Sequence, residues 1–284
     1  MNMEMSHAIK HKLDNLKKIL GETEGCAIAF SGGVDSTLLV TVAYEVLGER
    51  CLAVLATSST YPERECKRAI EWLETKKIPF VVIASEELDI PEFSKNPVNR
   101  CYHCKKELFE KVREQALKRG LESVADGSNA DDKHDYRPGM TAARETRVLS
   151  PLAQAGLTKE DIRTLSRDVY HLSTADKPSM ACLASRFPYG STITREKLSQ
   201  VEKIEAFLEE RGFRIYRARH HGEIVRLELG EKEFESCMHP DLRKNITDFA
   251  KAQGFAYVAL DLEGYRTGSM NEGLQEAVKN TRAG

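Results

Sequence analysis

Three groups of residues in this chain have the types and spacing for chemistry. The first is Ser31-Gly32-Gly33-Val34-Asp35-Ser36, which follows the apolar run Cys26–Phe30 and opens a helical repeat of Val34, Leu38, Leu39, Val42 and Val46. The pattern predicts strand, tight loop, helix. Glycines at 32 and 33 admit backbone angles that other residues avoid and let a ligand approach the chain. A helix start offers open N–H groups and the positive end of a dipole, which suits a phosphate. Asp35 and Ser36 fit the cap positions and are placed to hold Mg²⁺ or phosphate. A glycine pair by itself would be an ordinary turn; the full string after an apolar strand points to an anion site. No Lys-Ser or Lys-Thr follows the second glycine, so this is not the loop of ordinary P-loop nucleotide hydrolases.

The second group is Cys101-Tyr102-His103-Cys104, at the start of a predicted helix, with Cys182 further along. Two thiolates at that spacing can share one metal or cluster, or act as a redox pair; the plain alternative is two incidental thiols. With Cys182, three thiolates leave one position open on a zinc ion or an iron–sulfur cluster, each of which takes four ligands. Ligand softness suits either metal. Cys26, Cys51, Cys66 and Cys237 fall on apolar or helical stretches and read as buried, inert thiols.

The third group lies on a predicted hairpin over Phe213–Leu229, with Gly222-Glu223 as its turn. That turn fixes the register. Tyr216, Ala218, Val225, Leu227 and Leu229 share one face. Arg217, Arg219, His221, Arg226 and Glu228 share the other, with Arg219 opposite Arg226. Like charges across a strand pair destabilise a sheet. Such a face is either solvated, with Glu228 neutralising one arginine, or a site for an anionic ligand, since arginine binds phosphate and carboxylate bidentately.

The elements that position these groups follow from apolar periodicity. Strands are expected at Cys51–Thr57, Phe80–Ala84 and Ser123–Asp126, and helices at Pro62–Lys77, Cys101–Arg119, Thr158–Val169 and Thr194–Arg211, the last ended by Gly212. A final strand is expected at Phe255–Leu260, while Asp135–Arg147 reads as irregular and charged. Strands alternating with helices predict an α/β parallel sheet covered on both faces. Ligands of such sheets sit at the carboxyl ends of strands, where the Ser-Gly-Gly loop, Thr57-Ser58-Ser59 and Gly127-Ser128-Asn129 all fall. The loop Ser173–Gly190 separates a first domain, 1–190, from a smaller α+β domain, 191–284.

Composition bounds the class. The 284 residues carry a net charge of −2, which implies no general attraction to polyanions, and no basic, aromatic-rich stretch marks a nucleic-acid surface. Hydrophobic residues make up 41% of the chain and charged residues 30%, enough for a buried core in an ordinary globular protein. Met1–Leu20 reads as an amphipathic helix and no apolar run reaches membrane-span length. A cytoplasmic location is expected, without membrane or nucleic-acid partners, and with the seven cysteines as thiols or metal ligands.

The string Ser-Gly-Gly-Val-Asp-Ser resembles the PP-loop of ATP pyrophosphatases. Together with GSNADD, DYRPG-x-x-AARE, KPSMACLASRFPYG, the RARHHGE hairpin and EGYRTGSMNE, it resembles the LarE family of ATP-dependent sulfur transferases over nearly the whole chain. The resemblance implies that ATP adenylates a carboxylate of a pyridinium dicarboxylate mononucleotide, with release of pyrophosphate, and that sulfur then displaces AMP to give the thiocarboxylates of a nickel-pincer cofactor. It assigns Ser31, Gly32, Gly33, Asp35 and Ser36 to ATP, and Arg217, Arg219, Glu228 and Arg266 to the mononucleotide. Thr57 and Gly127, by their place at strand ends, are expected at the same ATP site with Mg²⁺, and Arg186 is expected at the mononucleotide. Cys182 corresponds to the sulfur-donor cysteine. Some members carry only that cysteine and sacrifice its sulfur. Others hold a [4Fe–4S] cluster on three cysteines, and this chain, with Cys101, Cys104 and Cys182, resembles the cluster type. A sulfide or other sulfur donor and a homo-oligomer are implied. A tRNA thiolase with the same loop and a sacrificial Cys182 stand as alternatives.

Overall fold

The computed structural model describes residues 7–134, 138–178, 181–266 and 269. The chain forms two compact units. One comprises Met1–Phe93 and Val98–Met180, the other Ser94–Pro97 and Ala181–Gly284.

The first unit is built on strands β1 (Cys26–Phe30), β2 (Cys51–Thr57), β3 (Phe80–Ala84) and β4 (Ser123–Ala125), all parallel, in the order β3-β2-β1-β4. Helices α1 (His7–Gly21), α2 (Val34–Leu47) and α3 (Glu63–Lys76) precede the short α4 (Pro91–Ser94) and the long α5 (Arg100–Lys118). After β4 come α6 (Pro138–Glu145), α7 (Pro151–Gln154) and α8 (Lys159–Thr164). Alternate side chains of a strand point to opposite faces, and both faces here are covered. Ile28, Phe30, Ala53 and Leu55 pack with Leu13, Leu16, Leu38 and Val42 of α1 and α2. Ala27, Leu52, Val54 and Val124 pack with Val112 and Ala116 of α5 on the other side. Two buried faces explain why β1 and β2 read as continuous apolar runs.

Two expectations change. Asp135–Arg147 is not irregular throughout: Pro138–Glu145 is helical, with Ala142 and Ala143 packed on Phe109; residues 135–137 lie outside the described residues. The helix expected over Thr158–Val169 divides into α8, whose N-terminus carries a capping box between Thr158 and Asp161, and a wider π-helical turn, Leu165–Val169.

The second unit packs α9 (Arg195–Glu210) and α11 (Pro240–Ala252) on a sheet of order β5-β6-β7, comprising β5 (Tyr216–His221), β6 (Ile224–Leu229) and β7 (Tyr257–Leu260); α10 (Glu231–Cys237) follows β6. The β5–β6 hairpin has the register derived from its turn, with Tyr216 opposite Leu229 and Arg219 opposite Arg226. Its apolar face meets Ile204, Leu208, Ile246 and Ala250. Strand β7 runs parallel to β6. Ser94–Pro97 joins this unit through the wholly buried Asn96, whose amide donates to the carbonyls of Phe187 and Pro188. No helix among the described residues is long and apolar enough to cross a membrane.

Candidate active site

The Ser-Gly-Gly loop leaves β1 and enters α2 as expected, with a sharper division of labour. Only Gly32 takes a left-handed backbone (φ 62), and a Cβ there would lie 2.9 Å from the Cβ of Ala69. Gly33 is extended and serves as the N-cap of α2, with no side-chain cap. Asp35 and Ser36 are therefore not caps but first-turn residues. Ser36 Oγ meets Ser31 Oγ at 3.1 Å and donates to Gly33 O, bracing the loop from within. A helix start without a side-chain cap keeps backbone N–H groups for a ligand.

Other elements hold the loop from outside. Tyr61 donates its hydroxyl to Ser31 O at 2.5 Å, and burial pushes its phenol pKa up. Lys177 donates to Gly32 O at 3.0 Å and pairs with Glu65 at 2.5 Å. Burial opposes the charge on Glu65, but Lys177 and Arg68 outweigh it and hold the carboxyl below its usual range. Asp35 accepts from Asn129 Nδ2 at 3.2 Å and from Lys159 Nζ at 2.5 Å. Tyr61 and Lys159 did not stand out in the sequence, and Lys177, though it opens the KPSMACLASRFPYG string, had no role assigned at the loop, because each lies far from it along the chain. The cation absent from the loop itself is thus supplied by residues from later elements.

These groups border a cavity of about 350 Å³ at the carboxyl ends of the strands, within the range of small-molecule sites. Ser31, Asp35, Ser36 and Gly127 line it, as do Ser58, Thr60 and Glu87 beyond β2 and β3. At Gly127 a Cβ would stand 3.1 Å from Ser36 N, so the glycine is what lets β4 approach the loop. Thr57 does not line the cavity: its hydroxyl donates to Ile83 O across the sheet. Asp126 accepts from Ser128 and Ser150 and, at 3.3 Å, from Lys105.

Cys101 and Cys104 sit in the first turn of α5. Cys101 is exposed and Cys104, half-buried, lines the same cavity as Ser31, Asp35 and Ser36. Cys182 is exposed on the second unit. A pair of thiols one helical turn apart fits two positions of a shared metal or cluster, and the third belongs to the other unit. Among the described residues, no three His, Cys, Asp or Glu side chains stand together as a metal site. Cys26, Cys51, Cys66 and Cys237 are buried, and burial pushes the thiols of Cys26 and Cys51 up to about 12.

In the second unit the arginine face is neither solvated nor open throughout. Glu228 is wholly buried between Arg219 (2.7 Å) and Arg226 (3.0 Å). That one carboxylate, accepting from both, removes the cross-strand repulsion of the two arginines. Arg226 reaches Asp261 at 3.3 Å, and Asp261 stands 3.6 Å from Arg266, which also pairs with Glu263. Arg217 lies over the Tyr265 ring, 5.0 Å from its centroid. Burial, then the charge of Arg186, lowers its pKa. Asp261 and Tyr265 were not foreseen; both stand in the polar stretch after β7.

Arg186 is the residue whose placement differs most from expectation. It is 1% exposed and forms a bidentate pair with Glu205 of α9, both bonds 2.8 Å. Its remaining donors go to Ala181 O, Cys182 O and Ser185 Oγ. The side chain is engaged within the fold, beneath the turn that carries Cys182.

No protein-family model matches the chain. An uncharacterized protein of Synechocystis is 39% identical over 266 residues, covering 94% of this chain and 99% of that protein. The pyridinium-3,5-bisthiocarboxylic acid mononucleotide synthase of Lactiplantibacillus plantarum is 33% identical over 267 residues, covering 94% of this chain and 96% of that protein. A GMP synthase of Aeropyrum pernix is 26% identical over 227 residues, covering 71% of this chain and 42% of that protein. The fold of the first unit is that of the PP-loop proteins.

Proposed function

This chain belongs to the pyridinium-3,5-bisthiocarboxylic acid mononucleotide synthase family, and we propose that it performs ATP-dependent sulfur insertion into a pyridinium dicarboxylate mononucleotide. The observation that carries the reading is the cavity shared by the phosphate loop and Cys104. The loop and the start of α2 hold the β- and γ-phosphates, with Asp35 handling Mg²⁺. A substrate carboxylate oxygen attacks the α-phosphorus, the bond to the bridging oxygen breaks, and pyrophosphate leaves. Sulfur at the sulfide level then attacks the acyl-adenylate carbon, the bond from that carbon to the AMP oxygen breaks, and AMP departs, giving a thiocarboxylate. A second round gives the bis-thiocarboxylate. The arginine face of the β5–β6 hairpin, with Arg217 and Arg219, receives the anionic mononucleotide, because guanidinium groups bind phosphate and carboxylate bidentately.

Cys101, Cys104 and Cys182 are the residues that would hold a [4Fe–4S] cluster, and such a group, when bound, supplies an iron not ligated by protein and so a place to carry sulfur. Protein prepared without oxygen should show iron–sulfur absorbance and form thiocarboxylate from ATP, the dicarboxylate mononucleotide and sulfide. Serine at 101, 104 or 182 should abolish both signals. Mass spectrometry after turnover should find Cys182 intact. Loss of the mass of H₂S at Cys182, once per sulfur transferred, would overturn the cluster reading and leave Cys182 as a consumed donor.

A further inference from the structure

The phosphate loop accounts for one end of the cavity. Its other end is closed by the turn after β3, where Glu87 lines the wall with only 4% of its surface exposed. Two hydroxyls serve the same carboxylate oxygen: Ser58 Oγ and Thr60 Oγ1 donate to Oε1 at 2.8 and 2.7 Å. Oε2 is buried and has no hydrogen-bond partner. A buried carboxylate oxygen without a donor is costly, and Glu87 lines the same cavity as Ser31, Asp35 and Ser36 of the Ser-Gly-Gly loop and the start of α2. The structure thus leaves one acceptor at this end to be matched from the cavity.

The position says which ligand atom can match it. Strand β3 lies two strands from β1, and neighbouring strands are about 4.8 Å apart, so Glu87 stands roughly 10 Å across the sheet from the phosphate loop. That is on the scale of the span from the phosphates to the far edge of the base in an extended nucleotide, beyond the ribose. Between the two ends the wall is made by Ala29, Val54 and Ala56, short apolar side chains that leave room for a flat ring. We propose that Glu87 is a specificity-determining residue that accepts a hydrogen bond from the exocyclic amino group of the nucleotide base, so that the site takes a 6-aminopurine and rejects a 6-oxopurine. The inference rests on the reading of the cavity as the ATP site. A 6-oxo group would set an acceptor against an acceptor, and buried polar mismatches of this kind discriminate more strongly than lost apolar contacts.

Calorimetric binding of ATP, inosine triphosphate and 2′-deoxyATP to the unaltered protein and to Glu87→Gln tests this. The unaltered protein should bind ATP roughly ten- to a hundredfold tighter than inosine triphosphate, the usual range for a hydrogen bond to a charged group. Glu87→Gln keeps an acceptor for Ser58 and Thr60 and gains an amide donor for a 6-oxo group, so the preference should shrink to about threefold or less. 2′-deoxyATP should follow ATP in both proteins. Equal affinity of the unaltered protein for ATP and inosine triphosphate overturns the role of Glu87, and that arm needs no variant to fold. So does an unchanged preference in a folded Glu87→Gln. Discrimination against 2′-deoxyATP that vanishes in the variant would move Glu87 to the ribose and overturn the base assignment. Failure of the unaltered protein to bind ATP at all would instead remove the nucleotide reading of the cavity.

Discussion

Arg186→Met separates structural from substrate-binding roles in the second unit. The guanidinium is 1% exposed and Glu205 is 2% exposed, so neither charge has water to fall back on. Burial opposes charge on both, and their mutual attraction outweighs it: the carboxyl of Glu205 is held below its usual range and the Arg186 guanidinium above its own. Removing one member of such a pair leaves an uncompensated buried charge, which costs about 3–5 kcal/mol. That is a large share of the 5–15 kcal/mol by which an ordinary domain is stable. Glu205 would keep the N–H of Ala218 at 3.1 Å and the nearby charge of Arg217, which together offset only part of the lost bidentate guanidinium. The double variant Arg186→Met, Glu205→Leu should recover most of the loss, because an apolar pair of similar volume replaces a desolvated ionic one. A residue of about 1–3 kcal/mol should remain, since Ala181 O and Cys182 O lose their donor. Urea unfolding, with hydrogen exchange to assign the transition to this unit, measures all three proteins. A single variant that loses less than about 1 kcal/mol, or a double variant as unstable as the single, refutes the reasoning.

Three further outcomes are expected. Asp35→Asn should sharply reduce substrate-dependent pyrophosphate formation. Its ion pair with Lys159 is partly exposed, so stability should change by less than about 1 kcal/mol; a normal rate of pyrophosphate release would remove Asp35 from the chemistry. Arg217→Ala should weaken mononucleotide binding by about one to two decades while ATP affinity holds, as read by calorimetry. Unchanged affinity would mean that the arginine face serves only its own carboxylates. The third outcome concerns pH. His220 stacks on Phe187 and meets Phe255 edge-on, and its Nδ1 accepts from Gly222 N–H, which fixes a neutral ring. Burial, then the charge of Lys197, lowers its pKa below the ordinary 6.5. The native state therefore binds fewer protons than the unfolded chain below pH 6.5. Stability should be full above that pH and fall as pH drops through the lowered folded value. His220→Phe should flatten the dependence of urea midpoint on pH without abolishing it, because His221 is lowered as well, by burial first and then Arg226. An unchanged slope would refute the assignment.

Strand periodicity and turn chemistry are local, and what depends on them was legible. Cys26–Phe30 and Cys51–Thr57 could be read from composition because both of their faces are buried. The hairpin register followed from Gly222-Glu223, since a tight turn sets every pair behind it. Pro138–Glu145 was not legible as a helix. It is short and carries only Ala142 and Ala143 as its fully buried apolar pair, too little for a periodic signal against Arg144, Glu145 and Arg147. Its order comes from packing on Phe109 of α5, which no local rule supplies.

The candidate site divides in the same way. The Ser-Gly-Gly loop was visible because the whole string Ser-Gly-Gly-Val-Asp-Ser follows an apolar strand and opens a helical repeat, whereas its supports, Lys159 and Lys177, become supports only after the chain has returned to β1. The arginine face shows why charge counted along a strand does not predict exposure. Side-chain alternation fixes which residues share a face, but the face is solvated or buried according to what covers it. Here Glu228 has the acceptor capacity to serve two arginines at once, and Asp261 and Glu263 engage Arg226 and Arg266. Arg217 enters the same balance through Glu205 of α9, whose charge partly offsets the burial and the Arg186 charge that lower its pKa. A carboxylate from another element therefore sets the electrostatics of a strand residue, and a count of charges along the strand cannot include it.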